Sequence, residues 1–131
     1  MIGIDTNLLL RLLLDDDAAQ SARIDAWLAT LPATAGQVHI ANVVLAETVW
    51  TLSSAYKQPK TALLTALQAL HDERMFSFEN RAAVAAAMDT FAVAACGFSD
   101  CLMVASNLAA GCQATVTFDK TMQALPGVES L

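Results

Sequence analysis

The sequence has few basic residues and no paired cysteines. Only 7 of its 131 residues are Lys or Arg, against 13 Asp or Glu, and the formal net charge is −6 at pH 7. This balance argues against a broad nucleic-acid-binding surface, because phosphate contacts supply most non-specific affinity. The three cysteines are odd in number and show no Cys-x-x-Cys spacing, so they favour neither a disulfide framework nor a zinc site.

Long apolar runs are also missing. Charged or polar residues break every run well before the ~20 residues that a membrane span needs, and Met1 leads straight into a strand pattern without a basic leader. We therefore expect a cytoplasmic protein with no membrane partner. A chain of this length can bury a core without disulfides, so a single domain over 1–131 is expected.

Apolar residues are plentiful. They make up 56% of the chain when Tyr is counted and Gly is not, against about 45–50% in typical soluble domains on a count that includes Gly. The excess indicates a surface for a partner or for self-association, and two-fold dimers are the commonest assemblies. A homodimer is therefore expected, with the helices over 43–56 and 60–73 as candidates for its interface.

Apolar patterns and helix breakers predict alternating strands and helices. Strands are expected at 2–5, 38–41, 75–78 and 114–118. Helices are expected from the Asp run at 15–17 to about 30, from a cap at Asn42 to about 56, and over 60–73, 80–95 and 100–110. A short helix and a loose tail should follow the last strand, and Trp27, Trp50 and Phe91 should lie in the core. The alternation predicts a parallel sheet flanked by helices.

Four acidic residues occupy places where a carboxylate adds little to folding. Asp5 and Asp119 each follow a short apolar strand, and open α/β sheets place their sites at the carboxyl ends of strands. Glu47 lies among apolar neighbours in a helix, and Asp100 follows Gly-Phe-Ser at the start of another. Taken singly, each acid has a purely structural explanation, such as complementing a helix dipole. Four acids from distant parts of the chain suggest one metal-binding pocket.

Clustered carboxylates need a cation. Like charges raise one another's pKa and oppose folding, so a pocket of four persists only if something positive enters it. Oxygen ligands suit Mg²⁺ or Mn²⁺, with water and phosphate oxygens completing the coordination sphere. Such a metal can activate a water molecule and neutralise charge on a phosphodiester, with one or two ions taking part.

The motifs around these acids resemble those of a known family. Ile-Asp-Thr-Asn at 4–7, Ala-Glu-Thr at 46–48, Ser-Asp-Cys-Leu at 99–102 and Thr-Phe-Asp at 117–119 resemble the four motifs of the PIN domain, especially the VapC toxins of bacterial toxin–antitoxin pairs. The resemblance covers essentially the whole chain. It implies a three-layer α/β/α fold with a short, mainly parallel central sheet. It also implies a magnesium-dependent endoribonuclease that acts on RNA and is held inactive by a cognate antitoxin.

The resemblance implies roles for individual residues. Asn7 resembles the polar residue that steadies the first acid, and Thr117 the hydroxyl residue two before the last. The implied catalytic and metal-binding quartet is Asp5, Glu47, Asp100 and Asp119.

Arg11 and Lys120 are the candidates for contacts with RNA phosphates, and Lys120 adjoins Asp119. Two other function classes stay open. A phosphoryl-transfer protein of the haloacid-dehalogenase or receiver type usually carries an acidic pair or Asp-x-Asp after its first strand, where this chain has Asp5-Thr6-Asn7. A non-catalytic PIN-like interaction domain would keep the fold and the acids but work through protein contacts.

Overall fold

The computed structural model describes all residues 1–131, and they form five short strands and six helices. The strands are β1 (Ile2–Gly3), β2 (Val38–Ile40), β3 (Phe76–Phe78), β4 (Thr115–Thr117) and β5 (Val128–Ser130). The helices are α1 (Thr6–Leu14), α2 (Ala18–Leu28), α3 (Asn42–Ser54), α4 (Lys60–Asp72), α5 (Arg81–Val93) and α6 (Phe98–Ala109). None of these helices combines the length and the apolar content that crossing a bilayer requires.

The strands are parallel and lie in two sheets. β1, β2 and β3 pair in that order, with Val38 opposite both Ile2 and Phe76. β4 and β5 form a second pair, with Thr115 opposite Val128. The short parallel sheet flanked by helices is the expected α/β/α architecture. The outer edge of β1 and one edge of β4 remain without a strand partner.

The core lies around β2, β3 and the helices that follow them. β2 contributes Val38 and Ile40, which are almost fully buried. Phe91 of α5 meets Phe98 of α6 edge to face, with ring centroids 5.7 Å apart. Lys60 donates hydrogen bonds to the carbonyls of Phe91 (2.9 Å) and Ala94 (2.7 Å) at the end of α5. A cation there offsets the negative end of the helix dipole.

The acidic run at 15–17 leads into a helix as predicted, and it also follows a helix that was not predicted. Asp15 ends α1 in a left-handed conformation with φ of 48°. Asp17 caps α2 by accepting a hydrogen bond from the backbone N–H of Gln20 (3.0 Å). Helix α1 was not predicted, although its polar residues Asn7 and Arg11 are four residues apart and so share one side of a helix. A turn at Asp15 separates this additional helix from the predicted one.

Further local predictions were wrong. The helix over α3 begins at Asn42 itself, and Ala41 is its N-cap. The tail forms β5 instead of remaining loose. Trp50, expected in the core, is 69% exposed, whereas Phe91 is buried as predicted. Helix α4 shows no large exposed apolar side chain, so it offers little to a dimer interface.

Candidate active site at the acidic edge

Asp5 lies at the junction of β1 and α1. Its backbone is extended, and its Oδ1 accepts a hydrogen bond from the N–H of Leu8 (2.9 Å), which makes Asp5 the N-cap of α1. The side chain is exposed, and Oδ2 has no hydrogen-bond partner. Capping therefore fixes the carboxylate at the end of the strand and leaves one oxygen available to a cation.

Glu47 is tied to the same junction by Thr6. The Thr6 hydroxyl donates to Oε2 of Glu47 at 2.8 Å. Because Thr6 follows Asp5 directly, this bond brings the second acid to the beginning of α1. Sequence reasoning missed Thr6, although it stands between the two quoted residues of the first motif, Asp5 and Asn7.

Asp100 lies in the first turn of α6 and is half-buried. Its neighbour Cys101 is buried, and the Cys101 sulfur is 3.9 Å from that of Cys96. Burial, together with the neighbouring Cys101, raises the pKa of Cys96 to about 11. The Cys96 thiol is therefore protonated at neutral pH when no metal is bound.

Asp119 begins the turn after β4. Its Oδ1 accepts hydrogen bonds from the N–H (2.8 Å) and the hydroxyl (2.7 Å) of Thr121. These bonds lower the pKa of Asp119. The Asp119 N–H donates to the Thr117 hydroxyl (3.0 Å), so Thr117 shapes the turn that presents the acid. Lys120 beside it is exposed and forms no ion pair.

A pocket of about 310 Å³ lies between α1 and α2. It is lined by Asn7, Leu8, Arg11, Gln20, Arg23, Ile24 and Trp27. Arg11 is held in place by the Tyr56 hydroxyl (3.0 Å) and by an ion pair with Asp16. The hydrogen bond to Tyr56 and the nearby Asp16 raise the pKa of Arg11. Asn7, predicted to steady Asp5, lines this pocket and makes no hydrogen bond to Asp5.

Comparison with known proteins identifies the family. The model of the PIN domain matches residues 2–128, almost the whole chain. The chain belongs to the PIN domain family. No curated protein matches it significantly. PIN domains are generally nucleases with metal-bound carboxylates, so the expected class of activity, hydrolysis of nucleic acid, follows from the family.

The quartet expected in this PIN domain is only partly assembled. The Thr6 hydroxyl ties Glu47 to the junction of β1 and α1 that Asp5 begins, whereas no three Asp, Glu, His or Cys side chains are grouped closely enough to hold a metal ion together. Asp100 and Asp119 stand on separate elements, and β4 does not pair with β1. The residues nevertheless fit Mg²⁺ or Mn²⁺, because Mg²⁺ is commonly held by one or two carboxylates together with water and phosphate oxygens.

Proposed function

We propose that this PIN domain is a magnesium-dependent endoribonuclease. The observation that carries the proposal is the Thr6–Glu47 hydrogen bond, which ties the second carboxylate to the residue that follows the capped Asp5. Asp5 and Glu47 would hold the cation, with Asp100 and Asp119 as further carboxylates around the substrate. Bound there, Mg²⁺ or Mn²⁺ would activate water and neutralise charge on the phosphodiester. Thr6 would orient Glu47, and the turn built by Thr117 and Thr121 would orient Asp119.

We also propose that the protein is a toxin controlled by an antitoxin. The motif resemblance to VapC toxins supports this, and so does the outer face of α3. Val43 is 61% exposed and Trp50 69% exposed, and at helical spacing they flank Glu47 on one stripe. A partner helix that covers these apolar side chains would also cover Glu47. An Arg or Lys on that helix would then pair with the carboxylate and displace the metal. The homodimer stays a prediction.

The Asp5→Asn variant tests the nuclease. Asn keeps the capping oxygen but loses the charge that binds metal, so cleavage of single-stranded RNA in Mg²⁺ should fall by at least about 100-fold. With EDTA the variant should melt close to the parent. Added Mg²⁺ should stabilise only the parent, since a ligand stabilises the protein that binds it by RT ln(1 + [L]/Kd).

Asp17→Asn is the matched control. Asp17 caps α2 through the same kind of hydrogen bond, to Gln20 at 3.0 Å, and lies outside the proposed site. It should leave cleavage unchanged. RNA cleavage by Asp5→Asn at the parental rate would refute the catalytic assignment. A melting temperature far below that of Asp17→Asn in EDTA would show that Asp5 serves the fold instead. If the parent cuts no RNA, the endoribonuclease assignment is wrong.

A further inference from the structure

The pocket between α1 and α2 is chemically unlike the rest of the surface. Its four polar lining residues, Asn7, Arg11, Gln20 and Arg23, all carry N–H donors, and no carboxylate lines it. The chain has 13 acids and only 7 bases. Arg11 is paired with Asp16 outside the lining, whereas Arg23 has no ion pair, so Arg23 supplies the positive charge that makes the pocket favour an anion.

The two arginines differ in how many of their N–H groups are already hydrogen-bonded. Arg11 is fixed by Tyr56 and Asp16, which occupy two of its N–H groups, and a guanidinium has five. Arg23 is exposed and has neither a hydrogen bond nor an ion pair within the protein. Arg23 is thus the freer cation for a phosphate, and Arg11 supplies a positioned second one.

The apolar side of the pocket provides a flat surface. Trp27 is half-buried and packs against the core, yet its side chain also lines the cavity with Leu8 and Ile24. An aromatic ring anchored on one side and accessible on the other is a stacking platform that accepts any nucleobase. The volume of about 310 Å³ lies at the small end of ligand pockets. Phosphate donors and a stacking surface together match one nucleotide.

The pocket and Asp5 lie along the same helix, α1. Asp5 caps this helix, Asn7 lies in its first turn, and Arg11 follows one turn later. At 1.5 Å per residue, Arg11 is about 9 Å along the axis from Asp5. Six residues also turn the helix by about 600°, so a strand with its phosphodiester at Asp5 has to curve around α1 to place a neighbouring nucleotide in the pocket.

We propose that this pocket binds a nucleotide of the RNA strand beside the scissile phosphodiester. Trp27 stacks on its base, and Arg23 binds its phosphate with support from Arg11. The inference rests on the proposed endoribonuclease function, which it deepens by giving the substrate strand a second point of attachment. It also accounts for how a chain so poor in basic residues holds RNA.

Binding is measured in EDTA, where no cleavage occurs. The probe is a fluorescein-labelled single-stranded RNA of about ten nucleotides. Arg23→Ala should weaken binding and reduce the slope of log K against log salt by about 0.7, the value for one phosphate contact on a single strand. Arg74→Ala removes an equally exposed charge that does not line the pocket, and it should leave the slope unchanged. Equal effects of the two variants overturn the proposal.

Stacking is measured separately through tryptophan fluorescence. Trp27 and Trp50 are the two tryptophans, so a Trp50→Phe protein reports on Trp27 alone. The RNA should quench that signal, and Trp27→Leu should lose about fivefold or more in affinity. If Trp27→Leu does not fold, the quenching result decides. RNA that binds without quenching Trp27, or fails to bind because the pocket serves a protein segment, overturns the proposal.

The two proposals fail in different ways. If Arg23→Ala and Trp27→Leu bind RNA like the parent while Asp5→Asn abolishes cleavage, the nuclease stands and the pocket assignment is wrong. If RNA quenches Trp27 while the parent never cleaves it, the nucleotide site stands and the nuclease is wrong.

Discussion

Strands β2 and β4 are both three residues long, yet their surroundings are opposite. β2 pairs with a strand on each side, and its Ile40 is fully buried at 0% exposure. β4 pairs only with β5, its Val116 is 55% exposed, and the following Phe118 is exposed as well. β2 contributes buried apolar side chains and no candidate site residue, whereas β4 leads directly to Asp119.

The core and the candidate site therefore lie on different parts of the fold. Helices α3 and α6 contribute to the core around β2 and β3. They also carry the exposed Glu47 and the half-buried Asp100. Asp5 and Asp119 follow strands that each keep one unpaired edge. Elements with few buried contacts open locally at low free energy. We therefore expect the backbone around Asp5 and Asp119 to move when metal and RNA bind, while β2 and the core around it keep their conformation.

The largest expected effect comes from truncating matched residues in the two strands. Ile40→Ala should lower the free energy of unfolding by about 2–5 kcal/mol, because it leaves a cavity in the closed centre. Val116→Ala should change it by no more than about 0.5 kcal/mol, because most of that side chain is already in water. Urea denaturation of both variants measures the difference. A loss at Val116 comparable to that at Ile40 would mean that β4 is covered in solution.

An intermediate effect on RNA cleavage is expected at Thr6, which joins the beginning of α1 to Glu47 on α3. Thr6→Val keeps the shape but removes the 2.8 Å hydrogen bond to Glu47. RNA cleavage should fall by about tenfold, the lower range for residues that orient metal ligands. The free energy of unfolding should change by less than about 0.5 kcal/mol, since the bond is exposed.

Thr61→Val is the control for this change, because Thr61 also lies in the first turn of a helix but bonds to no carboxylate. It should leave cleavage unaffected. If the two variants cut RNA equally well, Thr6 does not position Glu47.

The sequence predicted the centre of the fold better than its edges. Helices α3 and α4 begin and end within two residues of the predicted bounds, because the end of β2 precedes α3 and Pro59 separates the two helices. Helix α1 was missed although Asn7 and Arg11 interrupt its leucines at helical spacing. Strand β5 escaped because its residues are half-buried or exposed and so carry no pattern.

For the candidate site, the sequence identified the four acids but not their arrangement. Motif resemblance gives residue types and order, whereas the Thr6–Glu47 bond depends on how α1 packs on α3. The pocket with Arg23 and Trp27 escaped for the same reason, since its lining comes from two helices of which only α2 was predicted. Spatial pairing across helices leaves no local signal in one sequence.

The smallest expected effect concerns the ionisation of Asp119 at the open edge. Thr121→Val removes the hydroxyl donor at 2.7 Å and keeps the backbone N–H donor at 2.8 Å. The pKa of Asp119, lowered mainly by these two bonds, should therefore rise part of the way back to its ordinary value. Carbon-detected NMR titration of the Asp119 carboxyl group in EDTA measures the shift. Thr65→Val, which removes a hydroxyl that bonds only a backbone carbonyl, is the control.

The pH dependence has a definite sign. A carboxyl group whose pKa is lower in the folded state stabilises the fold above its unfolded pKa, and that contribution disappears as pH falls through the folded value. The parent has the lower folded pKa, so this contribution is larger in the parent at pH 7, and the parent should melt slightly above Thr121→Val in EDTA. The difference should shrink as pH falls below about 4, where the carboxyl group becomes protonated first in the unfolded and then in the folded state. An unchanged Asp119 titration in Thr121→Val would show that the turn after β4 is open in solution, and the orientation assigned to Asp119 would then be lost.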